Sequence, residues 1–218
     1  MGKITLTQFQ KRLLSGFIIG PLVVLVIIGG GWPFRAMVLV FTLIALYEWV
    51  QISLKIKNNI LYLVFGTAYV LLCFWYLYAL REHFPVSTGL LFIAMIWASD
   101  IGAYFTGKKI GGPKLAPKIS PNKTWAGFAG AMVFPAIIGV LLSLTLEIQA
   151  IGMIAVIGLA VGAVGQAGDL IVSVMKRRAA VKDSGSIIPG HGGLLDRVDS
   201  MMLAAPVFYF LWVAAHGA

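Results

Sequence analysis

Residues 150–172 read AIGMIAVIGLAVGAVGQAGDLIV. A single charge, Asp169, interrupts this stretch. As a helix it would extend about 34 Å, enough to cross the roughly 30 Å hydrocarbon core of a bilayer. A barrel strand would be shorter and would alternate apolar with polar residues. Reading outward from it, six more stretches of this kind appear, giving spans at approximately 13–31, 33–54, 60–80, 86–106, 125–146, 150–172 and 197–216. The whole 218-residue chain is 60% hydrophobic and only 11% charged. A soluble domain is about 45–50% apolar and about 25% charged. Composition therefore excludes a soluble globule, a disordered chain, a collagen-like chain and a disulfide scaffold. The lone Cys73 excludes an intrachain disulfide and a cysteine metal cluster. The expected fold is all-α: a polytopic integral membrane protein of about seven transmembrane helices.

The basic residues predict its orientation. With the N-terminus in the cytoplasm, seven spans place fifteen of the seventeen Lys and Arg residues inside and leave only Arg35 and Arg81 outside. Such a split is the positive-inside signature, and it reads the net charge of +9 as membrane topology rather than nucleic-acid binding. The basic start and first apolar run resemble a signal peptide, but the run is long and lacks a small-residue cleavage pattern, so it reads as a retained anchor. The C-terminus is then expected outside. Six of the eight acidic residues fall near inner span ends or in the two long inside loops, about 107–124 and 173–196. Any chemistry is expected at the cytoplasmic face of a cell inner or plasma membrane.

Three regions carry candidate chemistry. Asp100 lies within an apolar span and shares a helical face with Tyr104. A carboxylate at that depth costs about 3 kcal/mol unless paired. It serves either a structural pair or a functional site. The loop after it holds five lysines and ends in Ser120-Pro121-Asn122-Lys123-Thr124, just before a helix start. Lysines alone would suit anionic lipid. Hydroxyls, an amide and an ammonium beside free helix N–H groups suit phosphate equally well. The Walker pattern is absent.

In the sixth span, Gly158, Gly162, Gly165 and Gly168 read as a close helix contact. Asp169, Ser173 and Lys176 follow on one stripe. Next come Lys176-Arg177-Arg178, Lys182-Asp183 and Pro189-Gly190-His191-Gly192-Gly193, then Asp196-Arg197-Val198-Asp199. The basic cluster alone could be a snorkelling belt. Asp196 and Asp199 are expected to face one way and to meet Asp169 across a helix interface. Three carboxylates and about five cations at a membrane surface suit a divalent metal and a polyphosphate. Zinc is disfavoured, since His191 has no Cys or His neighbour in sequence. Carboxylates without cysteine favour Mg²⁺.

Residues 173–199 resemble the signature of the phosphatidate cytidylyltransferase (CDP-diacylglycerol synthase) family. The pattern is Ser, two residues, Lys-Arg, four residues, Lys-Asp, then Pro-x-His-Gly-Gly, two residues, Asp-Arg-x-Asp. Ser173, Lys176, Arg177, Lys182, Asp183, Pro189, His191, Gly192, Gly193, Asp196, Arg197 and Asp199 fill it. The stretch from Asp100 to Gly107, Leu115-Ala116-Pro117 and Ser120 to Trp125 is similar to the same family, and Tyr47-Glu48-Trp49 matches a weaker feature. With no linker in sight, the chain reads as one membrane domain over 1–218, with N-terminal spans in 1–85 and catalytic spans and loops in 86–218, the latter carrying the resemblance. The resemblance implies an enzyme that joins CTP and phosphatidic acid into CDP-diacylglycerol and pyrophosphate, acting as a homodimer among membrane lipids.

Under that resemblance, Asp169 and Asp196 hold Mg²⁺, and Asp100 holds a second cation or a cationic side chain. Lys176, Arg177, Lys182 and Arg197 bind phosphates, and Asp199 assists or orients Arg197. Ser120, Asn122, Lys123 and Thr124 complete the nucleotide cradle, which Ser173, Asp183, Gly192 and Gly193 adjoin. His191 reads as a phosphate hydrogen-bonding group rather than a base. Three rival readings remain: a transporter, a non-catalytic lipid-binding scaffold, and a cytidylyltransferase acting on an ether lipid. A transporter would carry polar groups near the midplane, and a scaffold would need the lysines but not the aspartates.

Overall fold

The computed structural model describes residues 8–145, 150–188 and 192–216, with side chains from Phe17 onward except Ile18. Among these residues the chain forms α1 (Gln8–Gly29), α2 (Gly31–Ser53), α3 (Ile60–His83) and α4 (Val86–Lys109). A short ribbon follows, β1 (Lys114–Ala116) and β2 (Ser120–Thr124), and then α5 (Trp125–Thr145), α6 (Ile151–Arg178) and α7 (Leu195–His216). The seven helices coincide with the seven expected spans to within a few residues. Six of them are long and apolar enough to cross a membrane, whereas the described apolar stretch of α1, Ile19–Gly29, is shorter. The protein is an all-α integral membrane protein.

The helices outrun the expected spans mainly at charged ends. α6 continues to Arg178 and α4 to Lys109, because backbone hydrogen bonding does not stop where hydropathy falls. Basic side chains in those last turns also complement the helix dipole. The stretch at 107–124, expected as a loop, contains the antiparallel ribbon instead. Lys114 pairs with Thr124 and Ala116 with Ser120, and Trp125 N–H closes its base on the Pro113 carbonyl at 3.1 Å. Pro121 is tolerated because a two-stranded ribbon consists only of edges.

α4, α5, α6 and α7 pack in sequence order and form the most extensive contacts, while α2 and α3 pair and lean on α7. Missing side chains make these contacts close. A Cβ on Gly102 of α4 would lie 2.5 Å from the Gly130 carbonyl of α5. One on Gly158 of α6 would lie 2.5 Å from Ala136 of α5, and Gly162 meets the Ala131 carbonyl more tightly still. Gly168 admits the Asp199 carbonyl of α7, 2.6 Å from where its Cβ would be. The glycine ladder is thus a packing device, as its spacing predicts. Elsewhere, large apolar side chains such as Phe65, Trp75, Ile137 and Leu141 are exposed, which suits a lipid surround.

One end of the bundle is lightly charged. Arg35 pairs with Glu82 at 2.8 Å, and Arg81 donates to the Ile27 carbonyl at 2.8 Å, capping the C-terminal end of α1. The described lysines and the other arginines lie at the opposite ends of their helices or in the adjoining loops.

Candidate active site

At the basic end, α4, α5, α6 and the ribbon enclose a polar cleft of about 210 Å³. Asp100 and Tyr104 of α4, Asn122, Lys123 and Thr124 of the ribbon, and Gln166 and Asp169 of α6 line it. Gly107 and Gly127 bring α4 and α5 together there, since a Cβ on Gly107 would be 3.5 Å from the Gly127 Cα. Thr124 is buried and acts as the N-cap of α5, its Oγ1 accepting the Gly127 N–H at 3.0 Å.

Lys123 is the central cation of the cleft. Its ammonium lies 2.5 Å from Asp169 Oδ2 and donates to Gln166 Oε1 at 2.8 Å. The other oxygen of Asp169 accepts the Ser173 hydroxyl at 3.1 Å. The predicted stripe on α6 is therefore real, and Gln166, one turn earlier, belongs to it. Asp100 lines the cleft together with Lys123 and Asp169, and Asp199 of α7 packs its backbone against Gly168, the residue before Asp169. Asp199 also accepts the N–H of Ser200 at 2.8 Å.

Asp196 occupies a neighbouring, drier position with 5% of its side chain exposed. Its Oδ1 lies 2.5 Å from the Lys176 ammonium. Its Oδ2 accepts the Ser184 N–H at 2.7 Å, the Ser184 hydroxyl at 3.0 Å and the Gly193 N–H at 3.1 Å. Gly192, at φ 82°, takes a backbone conformation that favours glycine, and the Ile188 N–H donates to its carbonyl at 3.0 Å. Pro189, Gly190 and His191 lie outside the described residues. Asp183 is exposed beside Gly192.

The remaining predicted residues spread outward. Arg177 donates to the Ile119 carbonyl at 3.1 Å and so ties the end of α6 to the ribbon's turn. Lys182 is exposed, Ser120 opens β2 outside the lining of the cleft, and Asn122 reaches the cleft. Arg197 is exposed at the edge of a second cavity. That cavity is an apolar crevice of about 690 Å³ between α1, α2, α4 and α7, and among the described residues Arg197 is the only charged one that lines it. The sequence reading noted Glu48 within Tyr47-Glu48-Trp49 but gave no role to it or to Ser184. Glu48 is 2% exposed and accepts the Ser184 hydroxyl at 2.9 Å. The signal was a carboxylate near the inner end of an apolar span.

Among the described residues, no three His, Cys, Asp or Glu side chains gather in a metal-binding group. The donor chemistry nevertheless fits a hard cation: Asp100, Asp169 and Asp196 supply only oxygen, from three helices. In this arrangement lysine ammonium groups neutralise the last two.

A bundle of membrane-spanning helices with paired carboxylates and ammonium groups at one end, beside an apolar crevice, defines an integral membrane protein with one polar and one apolar cavity. The sequence profile of the cytidylyltransferase family matches residues 55–214, and the chain belongs to that family. It is 42% identical over 154 residues to a phosphatidate cytidylyltransferase of Bacillus subtilis (strain 168), covering 69% of this chain and 57% of that one. It is 43% identical over 128 residues to one from Brucella suis, covering 59% of this chain and 47% of the relative. Against one from Rickettsia bellii it is 33% identical over 214 residues, 94% of this chain and 91% of the relative. The matches to the first two span about half the length of those relatives.

Proposed function

We propose that this chain is a phosphatidate cytidylyltransferase, transferring CMP from CTP to phosphatidic acid to give CDP-diacylglycerol and pyrophosphate. The observation that carries this reading is the adjacency of two cavities. The polar cleft around Lys123 and Asp169 suits a nucleotide. The apolar crevice, which Arg197 lines, suits acyl chains, and Trp97 on its wall lies one turn of α4 before Asp100 of the cleft. The relatives' names support the substrate pair. The reading also places the site on the cytoplasmic side, where the fifteen inside cations and the supply of CTP coincide. We read the working form as a homodimer, which mass measurement in detergent tests.

An oxygen of the lipid phosphate attacks the α-phosphorus of CTP in line. The bond from that phosphorus to the oxygen bridging to the β-phosphate breaks, and pyrophosphate leaves with the electron pair. A phosphate monoester is largely ionised at neutral pH, its second pKa being about 6, so a general base is of little use. The barrier is the approach of two anions, and it is lowered by positioning and charge neutralisation. Lys123 binds the triphosphate in the cleft, with Asn122 beside it, and Arg197 holds the lipid phosphate at the mouth of the crevice. Lys176 moves charge toward the phosphates from its place against Asp196, and Arg177 and Lys182 extend the basic rim, which His191 joins through a phosphate hydrogen bond. Mg²⁺, held by Asp169 and Asp196 with Asp100 alongside, would supply further charge neutralisation at the phosphate oxygens.

Purified protein given labelled CTP and phosphatidic acid in mixed micelles should convert the label to a lipid-soluble form and release pyrophosphate. Excess chelator should reduce the rate at least a hundredfold, and added Mg²⁺ should restore it. A wild-type preparation that binds CTP but forms no labelled lipid would refute the reading. An ether-linked lipid phosphate in a parallel reaction tests the rival substrate.

A further inference from the structure

α7 begins without a cap of its own. Its N-cap position is Leu194, whose carbonyl accepts the N–H groups of Arg197 at 2.9 Å and Val198 at 3.2 Å. A leucine has no side-chain oxygen to satisfy the free N–H groups of the first turn, whereas Ser, Thr, Asp and Asn do. The missing acceptor comes from α2. Glu48 Oε1 accepts the Leu194 N–H at 3.0 Å, and Oε2 accepts the Leu195 N–H at 2.9 Å. Glu48 also shares the Ser184 hydroxyl with Asp196, at 2.9 Å and 3.0 Å respectively. That hydroxyl carries one proton, so it donates to one carboxylate at a time.

The surrounding backbone is cut to fit this carboxylate. A Cβ on Gly185 would lie 2.5 Å from Glu48 Oε1, and one on Gly193 would lie 2.5 Å from Oε2. Among the described residues Glu48 has no Lys or Arg partner within ion-pair distance. Its charge is met by the positive end of α7 and by the hydroxyl. The residue after Leu195 is Asp196, and the same Ser184 and Gly193 hold it.

We propose that Glu48 is a positioning residue: an N-cap supplied to α7 from α2, which fixes the first turn of α7 and, through Ser184, the carboxylate of Asp196. This role rests on the reading of Asp196 as part of the transfer site. It requires the negative acceptor and not merely the bulk of the side chain. Glutamine fills the same volume but turns an NH₂ group toward at least one of the donors. Aspartate keeps the charge but is one methylene shorter.

The test uses the full chain in detergent micelles, comparing wild type with Glu48→Gln, Glu48→Ala and Glu48→Asp by amide hydrogen exchange and steady-state kinetics. In Glu48→Gln and Glu48→Ala the amides of residues 194–197 should exchange at least tenfold faster, with the amides of α5 unchanged. Their kcat should fall at least tenfold while KM for CTP stays within twofold, and Glu48→Asp should recover part of both losses. Unchanged exchange at 194–197 in Glu48→Gln would overturn the cap. Faster exchange with kcat within twofold of wild type would overturn the positioning role. So would Glu48→Asp no better than Glu48→Ala when both melt at the wild-type temperature. If Glu48→Ala yields no folded protein, the Gln and Asp variants carry the same comparison. Absence of transfer by the wild-type chain would instead refute the transfer reading, and the exchange rates would still decide the cap.

Discussion

Asp169 and Asp196 are both engaged by ammonium groups, yet they sit in different surroundings. Asp169 borders the polar cleft with 29% of its side chain exposed, whereas Asp196 is almost fully enclosed, with every described donor supplied by the protein. Replacing Asp196 by Asn keeps the volume but removes the charge opposite Lys176 and turns an NH₂ group toward at least one donor. Breaking one partner of an enclosed pair generally costs several kcal/mol, about 3–5 in buried cases. The expected outcome for Asp196→Asn is loss of turnover by at least a hundredfold while the protein still inserts. Membrane fractionation together with the labelled-CTP assay checks it, and near-normal turnover would remove Asp196 from the site. Lys123 shows how much of this scale the sequence discloses. Its place in the Ser120–Thr124 motif is legible, but its pairing with Asp169 is not, because 46 positions separate the two.

Helices are placed here by what they lack. α5 and α6 approach through Gly158 and Gly162, and a side chain at either would push against the α5 backbone. Since lipid offers no hydrophobic drive for helix association, such close packing is a principal source of attraction between the helices. Gly162→Leu should therefore open the α5–α6 contact and lower the melting temperature in detergent by about 10 °C or more, with collapse of activity. Gly152→Leu, at a position where a Cβ would meet nothing within 4 Å among the described residues, should leave the melting temperature nearly unchanged. The periodic glycines announce this contact in the sequence. The ribbon at Lys114–Thr124 is not announced, because Pro121 and Asn122 are poor strand residues. Closure by the Pro113 carbonyl and by Arg177 on the Ile119 carbonyl outweighs their preference.

At the level of the whole molecule, the two cavities sort two kinds of ligand. The polar one lies among α4, the ribbon and α6, and the apolar one opens between α1, α2, α4 and α7. If the crevice takes acyl chains, then filling it should raise KM for the lipid without touching the nucleotide. Met37→Trp, on the crevice wall, is expected to raise KM for a long-chain lipid phosphate at least fivefold. KM for CTP, and KM for a short-chain lipid phosphate, should stay within twofold. Steady-state kinetics with the two lipids checks this. Equal effects on both would place the acyl chains elsewhere.

Hydropathy determined the number of the helices and roughly where each lies, since a bilayer accepts only long apolar segments with satisfied backbone hydrogen bonds. Local spacing likewise determined the stripe of Asp169, Ser173 and Lys176, because helical geometry fixes neighbours three and four residues apart. The tertiary structure alone decided which charges meet. Glu48 caps a helix that begins 147 residues later, Lys123 finds Asp169, and Lys176 finds Asp196. No periodicity records such encounters, because they depend on how the glycine-set crossings rotate one helix against the next.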